Sequence, residues 1–136
     1  MANILVIEDQ KQLCQLYGSV LCKTKHKINL AFTGEAGVEQ ALREPPDLII
    51  LDMMLPGISG VDVAKKLWVA GVLPHCSLIV ATAVPDQARP ITQFCGLSTV
   101  LTKPFQIKSL VSAVRHALEG NSPGDAELRP SLAPSG

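Results

Sequence analysis

The sequence predicts an α/β fold in which a doubly wound parallel sheet carries helices on both faces. Two patterns support this prediction. Short apolar segments rich in β-branched residues alternate with segments whose apolar residues recur every three or four positions. Several of the short segments are continuous apolar runs, as expected for strands that are covered on both faces. Strands that alternate with helices at this spacing imply parallel pairing through right-handed crossovers.

Five strands are expected, and the apolar runs before Glu8 and Asp52 are the clearest of them. Each of these two runs contains four apolar residues and ends abruptly at an acid. The remaining segments are recognised by β-branched residues between turn signals. The predicted strands cover residues 3–8, 27–32, 48–51, 78–81 and 99–102.

Amphipathic helices are predicted at 11–22, from Thr33 to the proline pair at 45–46, at 61–70 and at 105–119. Thr33 is the expected N-cap of the second helix. The periodicity places Leu42 on the inner face of that helix and Trp68 on the inner face of the third. Pro90 would break a fourth helix of usual length, so we predict a short or irregular one at about 91–95.

Size and composition indicate one domain, residues 1–119, followed by a tail or linker at 120–136 that we predict to be disordered. Twelve basic and twelve acidic residues balance, which argues against direct binding of nucleic acid or an anionic membrane. No apolar run reaches the roughly eighteen residues of a membrane span, and no leader is evident. We therefore expect a cytoplasmic protein.

The four cysteines form no CxxC pair, so their spacing suggests neither a zinc site nor a dithiol redox motif. Cysteines without such spacing are usually buried, reduced thiols. We expect that state for all four, which are Cys14, Cys22, Cys76 and Cys95.

Polar residues stand at the carboxyl ends of four predicted strands: Glu8 and Asp9, Asp52, Thr82, and Lys103. In open parallel sheets, ligands bind at this edge. Each residue alone has a structural explanation; Asp9, for example, could simply cap a helix. Their joint occurrence at successive strand ends indicates a site.

Three converging carboxylates repel one another unless they share a proton or bind a cation. Magnesium suits two direct carboxylates, a backbone carbonyl and a third acid reached through water, and Mn²⁺ is an alternative. Lys103 supplies a fixed positive charge and Thr82 a hydroxyl donor. Such a set suits phosphoryl transfer, in which positioning and charge neutralisation dominate, with Asp52 as the nucleophile.

Over about residues 3–118, the sequence resembles the receiver domain of two-component response regulators. The matching segments are ILVIED at 4–9, DMMLPGISG at 52–60, ATA at 81–83 and KPF at 103–105. The resemblance implies a flavodoxin-like strand order, 2-1-3-4-5. It also implies that Asp52 takes a phosphoryl group from a phosphohistidine. Asp9, Asp52 and the Met54 carbonyl would then hold magnesium, and Glu8 would act through water.

By the same resemblance, Thr82, Ala83 and Lys103 contact the phosphoryl group or take part in switching. Thr82 would move toward the phosphoryl oxygens and carry the following loop with it. The peptide bond between Lys103 and Pro104 is expected to be cis. The domain would catalyse its own phosphotransfer and autodephosphorylation, without being a conventional metabolic enzyme.

Three apolar positions distinguish this sequence within the family it resembles. Val100 stands where receivers usually carry an aromatic residue or histidine that reports the switch. Met54 and Val84 flank the approach of water to an acyl phosphate. Because neither side chain can orient water by hydrogen bonding, we predict a phosphorylated state that lasts minutes or more.

The implied partners are a sensor histidine kinase or phosphotransfer protein, and a downstream protein or fused output domain. We expect a monomer or weak dimer. One alternative is a receiver-like interaction module that binds partners without phosphorylation-dependent switching. A hydrolase or nucleotide-binding enzyme is disfavoured because GxGxxG, P-loop and DxD motifs are absent from the sequence.

Overall fold

The computed structural model describes residues 2–73, 75–95 and 98–119. Its five strands are β1 (Asn3–Ile7), β2 (Lys27–Ala31), β3 (Leu48–Asp52), β4 (Ser77–Thr82) and β5 (Ser98–Thr102). They form one parallel sheet in the order β2-β1-β3-β4-β5, which confirms the predicted fold class and strand order. The helices are α1 (Lys11–Leu21), α2 (Gly34–Arg43), α3 (Gly60–Val69), α4 (Arg89–Phe94) and α5 (Ile107–Glu119).

Two apolar clusters cover the two faces of the sheet. Successive side chains of a strand point to opposite faces, so β1 and β3 each contribute to both clusters. One cluster joins Ile4, Val6, Leu48 and Ile50 to residues of α1 and α5. The other joins Leu5, Ile7, Ile49 and Leu51 to residues of α2, α3 and α4. This double coverage explains why these strands are continuous apolar runs in the sequence.

Side-chain caps fix the starts of two helices on the second face. The Thr33 hydroxyl accepts a hydrogen bond from the backbone N–H of Ala36 at 3.0 Å, as predicted. The Ser59 hydroxyl accepts one from Asp62 N–H at 3.2 Å. These bonds satisfy donors that the first turn of a helix leaves without a partner.

The fourth helix is short, as predicted from Pro90. A 3-10 turn at Pro85–Ala88 precedes α4, which has only six residues. Pro90 lies in the first turn of α4, where its missing N–H breaks no helical hydrogen bond. The connection between β4 and β5 is therefore more irregular than the others.

Three predictions about burial were wrong. Leu42 is 51% exposed and Trp68 is 40% exposed, although both were assigned to inner faces. Each lies beside the buried stripe of its helix, next to Ala41 and Leu67 respectively, and a helix on a sheet buries only a limited arc. Cys22 is also exposed, whereas the other three cysteines are buried; all four thiols are free.

The predicted tail at 120–136, which is the whole chain beyond α5, lies outside the described residues. Within the described part of the chain, no helix combines the length and apolarity that crossing a bilayer requires.

Candidate functional site

The register of the sheet brings the predicted site residues to one edge. Ile7 is paired with Leu51, so the next residues along these strands, Glu8 and Asp52, are neighbours. Asp52 is paired in turn with Ala81, the residue before Thr82. The ends of three adjacent strands thus place two acids and a hydroxyl side by side.

Glu8, Asp9 and Asp52 each offer one carboxylate oxygen to a group in which all such atoms lie within 4.8 Å of one another. Glu8 is fully buried, and Asp52 is 4% exposed. Hard divalent cations prefer such oxygen ligands, and charge neutralisation favours their binding among buried carboxylates. The cluster therefore fits a divalent cation.

Lys103 supplies the positive charge of this site. Its ammonium donates to Oδ1 of Asp52 at 3.0 Å and to Oε1 of Glu8 at 3.4 Å. Its backbone N–H bonds to the Thr82 carbonyl at 2.8 Å, which ties the residue after β5 to the end of β4. The Lys103–Pro104 peptide bond is cis, as predicted.

The buried Glu8 and the partly buried Lys103 shift each other's pKa. Burial raises the pKa of Glu8 to about 7, and the Asp52 charge adds to this effect; the Gln10 N–H and Lys103 oppose it. Burial by itself would lower the pKa of Lys103, but its hydrogen bond to Asp52 and the two acids raise it overall. Lys103 therefore stays protonated at neutral pH.

Backbone donors orient the two buried carboxylates. The N–H of Gln10, at the start of α1, donates to Oε2 of Glu8 at 3.2 Å. The N–H of Met54 donates to Oδ1 of Asp52 at 3.3 Å. Both bonds come from residues two positions after the acid, so the local turns hold the carboxylates toward the edge of the sheet.

The Thr82 hydroxyl is occupied within its own turn. Its Oγ1 accepts a hydrogen bond from Val84 N–H at 3.0 Å and lies 3.2 Å from the Val84 carbonyl oxygen. The side chain is fully buried, while Ala83 after it is exposed. Thr82 therefore lies at the end of β4, as predicted, and its hydroxyl bonds to the backbone of the loop that follows.

The three apolar positions singled out in the sequence lie in different environments. Met54 is 69% exposed and Val84 is 49% exposed. Met54 lies next to Asp52 through its backbone N–H, and Val84 lies in the loop after β4. Val100 is partly buried and packs against the apolar cluster on the α2–α4 face. Val100 thus contributes to the packing of the core on this face.

Two residues near the site, Tyr17 and Gly60, were not predicted from the sequence to belong to it. Tyr17 fits the helical apolar period of α1, which predicts a core residue and gives no indication that the Glu8 and Asp52 charges help to raise the pKa of its hydroxyl. Gly60 follows the acid-bearing loop, and a Cβ there would lie 2.9 Å from the Met53 Cα and 3.1 Å from the Asp52 carbonyl. A glycine after a proline-glycine loop was the available signal for this close approach.

The chain matches the family model of the response regulator receiver domain over residues 4–115. It is 32% identical over 119 residues to the response regulator ArlR of Staphylococcus haemolyticus, covering 87% of this chain and 53% of ArlR. The chain thus spans about half the length of that relative.

Solved structures share the fold. The Vibrio cholerae chemotaxis protein CheY4 superposes with a TM-score of 0.79 at 21% identity, covering 87% of this chain and 99% of CheY4. The receiver domain of a Syntrophus aciditrophicus signal transduction histidine kinase gives 0.80 at 25% identity, covering 90% and 94%. Together with the family match, these findings show that the chain belongs to the receiver domain family of two-component response regulators.

Proposed function

We propose that Asp52 accepts a phosphoryl group from a phosphohistidine on a sensor histidine kinase or phosphotransfer protein. One observation carries this proposal: the Lys103 ammonium lies 3.0 Å from Oδ1 of Asp52, within a cluster of three carboxylates. A nucleophilic carboxylate, a fixed cation and ligands for a divalent ion are the groups that phosphoryl transfer requires.

The metal ligands proposed are the carboxylates of Asp9 and Asp52 and the backbone carbonyl of Met54, with Glu8 acting through water. Mg²⁺ suits this set, and Mn²⁺ can take the same oxygen ligands. When bound, the ion neutralises negative charge on the acids and on the transferring phosphoryl group.

In the transfer step, an Asp52 carboxylate oxygen forms a bond to phosphorus while the bond between phosphorus and the donor imidazole nitrogen breaks. The electron pair of that bond returns to the imidazole. Lys103 neutralises charge on the phosphoryl oxygens, and the proposed further contacts to these oxygens come from the Thr82 hydroxyl and the Ala83 backbone. Hydrolysis of the acyl phosphate by water later restores the Asp52 carboxylate.

The proposed signal is a movement of the loop after β4. To reach a phosphoryl oxygen, the Thr82 hydroxyl has to leave its hydrogen bond with Val84, which is 3.0 Å long here. The exposed residues after Thr82 would move with it and change the surface offered to a downstream protein or a fused output domain. The proposed unit is a cytoplasmic receiver domain of residues 1–119, monomeric or weakly dimeric, followed by a disordered tail or linker.

Incubation with phosphoramidate and Mg²⁺, followed by intact mass spectrometry, tests the proposal. The wild type is expected to gain one phosphoryl group that hydroxylamine removes, whereas Asp52→Asn gains none. Asp62→Asn is the control, because Asp62 is an exposed acid on α3 and its loss should leave labelling unchanged. Labelling of the Asp52→Asn variant at the wild-type rate would contradict the assignment.

The alternative function is an interaction module that does not switch. Two observations favour it: Val100 packs into the core in place of a rotating aromatic, and Thr82 is already paired with Val84. Hydrogen exchange of residues 83–95, with and without beryllofluoride and Mg²⁺, separates the two functions. Changed exchange in this segment supports a switch, and bound beryllofluoride without any change supports the module.

A further inference from the structure

Tyr17 carries a buried hydroxyl that the proposed phosphotransfer chemistry does not use. The side chain is 1% exposed, and its hydroxyl finds no hydrogen-bond partner among the described residues. Buried hydroxyl groups in native proteins are nearly always paired, because an unpaired one is costly. A partner acquired in another state of the site would explain this donor.

The direction of helical side chains and two contacts place Tyr17 beneath the acidic site. Helical side chains tilt toward the N-terminus of their helix, and α1 begins beside the acids, so Tyr17 reaches toward the site from the second turn. One turn earlier on the same face, the Cys14 thiol donates to the Glu8 carbonyl at 3.1 Å. The Tyr17 ring packs on Phe105, two residues after Lys103, with 5.9 Å between ring centroids.

The electrostatic surroundings agree with this placement. Burial raises the pKa of the Tyr17 hydroxyl, and the next largest contributions come from the negative charges of Glu8 and Asp52. The hydroxyl therefore remains protonated and is available as a donor toward these acids.

We propose that Tyr17 is a positioning residue of the acidic site, and that its hydroxyl donates a hydrogen bond to the Glu8 carboxylate when a divalent cation is bound. This inference rests on the proposed cation site. It assigns a role to a side chain of α1, whereas the proposed metal ligands all lie at the end of β3 or in the residues that follow β1 and β3.

Competition between two cations explains why the bond would form on metal binding. Nζ of Lys103 lies 3.0 Å from Oδ1 of Asp52 and 3.4 Å from Oε1 of Glu8, so the contact to Glu8 is the longer one. A divalent ion among the carboxylates repels the ammonium, and the longer contact to Glu8 is the one more easily given up. The buried Glu8 oxygen then needs another donor, and a carboxylate has lone pairs to accept one. Among the described residues, Tyr17 is the buried side-chain donor that has no partner.

The variant Tyr17→Phe tests this inference through two measurements expected to change in opposite senses. Without metal, the midpoint of urea unfolding should stay equal or rise, because the variant removes an unpaired buried hydroxyl. By calorimetric titration, its Mg²⁺ affinity should fall about tenfold, the effect expected from losing a hydrogen bond to a charged acceptor. A residue that only fills space would not separate the two measurements in this way.

Spectroscopy provides a direct readout, because Tyr17 is the only tyrosine in the sequence. Its ultraviolet resonance Raman bands should change from those of an unbonded hydroxyl to those of a donor when Mg²⁺ is added to the wild type. Val114→Ala serves as a packing control: Val114 is buried in the same cluster, so its truncation should lower stability and leave Mg²⁺ affinity unchanged.

The outcomes separate this inference from the proposed function. If wild-type protein binds no Mg²⁺, the proposed cation site is wrong and this inference is overturned with it. If the wild type binds Mg²⁺ while Tyr17→Phe binds equally tightly and the tyrosine bands do not move, the cation site stands and the role of Tyr17 is overturned.

Discussion

Lys103 and Asp52 form a hydrogen-bonded ion pair at 3.0 Å, although 51 positions separate them in the sequence. Both side chains are largely removed from water, at 22% and 4% exposure respectively. Where charges are buried, each partner stabilises the other, and the loss of one leaves the other uncompensated. The ion pair is therefore expected to affect both the unfolding free energy of the metal-free domain and its affinity for a divalent cation.

The variant Lys103→Gln tests this link. Metal-free protein should lose about 1–3 kcal/mol of unfolding free energy, because buried carboxylates lose a charged donor. Its Mg²⁺ affinity should rise severalfold, because no ammonium competes for the carboxylates. Phosphoryl transfer should nevertheless be lost, since no fixed cation remains for the phosphoryl oxygens. Urea unfolding, Mg²⁺ titration and labelling with phosphoramidate measure the three effects.

Lys27→Gln is the matched control for that variant. Lys27 pairs with Glu44 at 2.8 Å, but both side chains are about half exposed, at 52% and 45%. Exposed pairs contribute at most about 1 kcal/mol, so this change should leave stability, Mg²⁺ affinity and labelling close to wild type. Equal losses of stability in the two variants would argue against a special role for the buried pair.

Stability without metal should depend on pH through Glu8. Burial raises the pKa of this carboxyl from 4.5 to about 7 in the folded state. The folded protein therefore binds the proton more tightly than the unfolded chain does. The contribution to stability is fully present below about pH 4.5 and is lost as the pH rises to about 7, with an upper bound on the order of 3 kcal/mol.

The difference between wild type and Glu8→Gln isolates this contribution from that of other acids. Chemical unfolding across pH 4–8 should give a smaller decrease with rising pH for the variant, because glutamine does not titrate. Saturating Mg²⁺ should flatten or reverse the wild-type slope, since the ion stabilises the ionised folded form. Parallel curves for the two proteins in the absence of metal would show that Glu8 titrates normally.

The fold was largely predictable, because almost every strand coincides with an apolar run in the sequence and almost every helix with a helical apolar period. Besides the exposed Cys22, the errors fell on Leu42 and Trp68, which lie beside the buried stripes of ten-residue helices. In helices this short, a large apolar residue at the edge of the stripe fits the same spacing as a buried one. Only the packing of α2 and α3 on the sheet determines which residues face inward.

The composition of the site was also predictable, because parallel strands end at a common edge, but its hydrogen bonding was not. The sequence places Thr82 and Lys103 at strand ends without indicating that one hydroxyl bonds to Val84 or that one ammonium reaches two acids. Such contacts depend on loop geometry and side-chain rotamers. The position of Tyr17 under the acids depends likewise on how α1 packs against the sheet.

Gly60→Ala should disturb the site through the backbone. The added Cβ would lie 2.9 Å from the Met53 Cα and 3.1 Å from the Asp52 carbonyl oxygen, so the end of β3 has to shift. We expect a loss of about 1–3 kcal/mol and weaker Mg²⁺ binding, because the shift displaces a proposed ligand. Urea unfolding and Mg²⁺ titration measure both.

Gly18→Ala provides the opposite case on α1. A Cβ at Gly18 meets no atom within 4 Å, so alanine should stabilise the helix by about 0.5–1 kcal/mol without altering Mg²⁺ affinity. If Gly60→Ala behaved in the same way, the close approach between α3 and the end of β3 would have no energetic consequence.

The lifetime of the phosphorylated state should depend on the apolar side chains of Met54 and Val84. Both are well exposed, and neither can hold an attacking water by hydrogen bonds. We therefore expect the wild-type acyl phosphate to last minutes or more after removal of the donor. Intact mass spectrometry over time measures this lifetime. Loss of the phosphoryl group within a few seconds would refute the prediction.

Met54→Asn should shorten that lifetime severalfold, because an amide can both donate to and accept from a water approaching the phosphorus. Val69→Asn is the matched control: Val69 is 84% exposed at the end of α3, at the opposite end of that helix from the acid-bearing loop. Its loss of phosphoryl label should follow the wild type. Because both variants replace an exposed apolar residue by the same amide, a faster loss in Met54→Asn alone would locate the effect at the path by which water reaches Asp52.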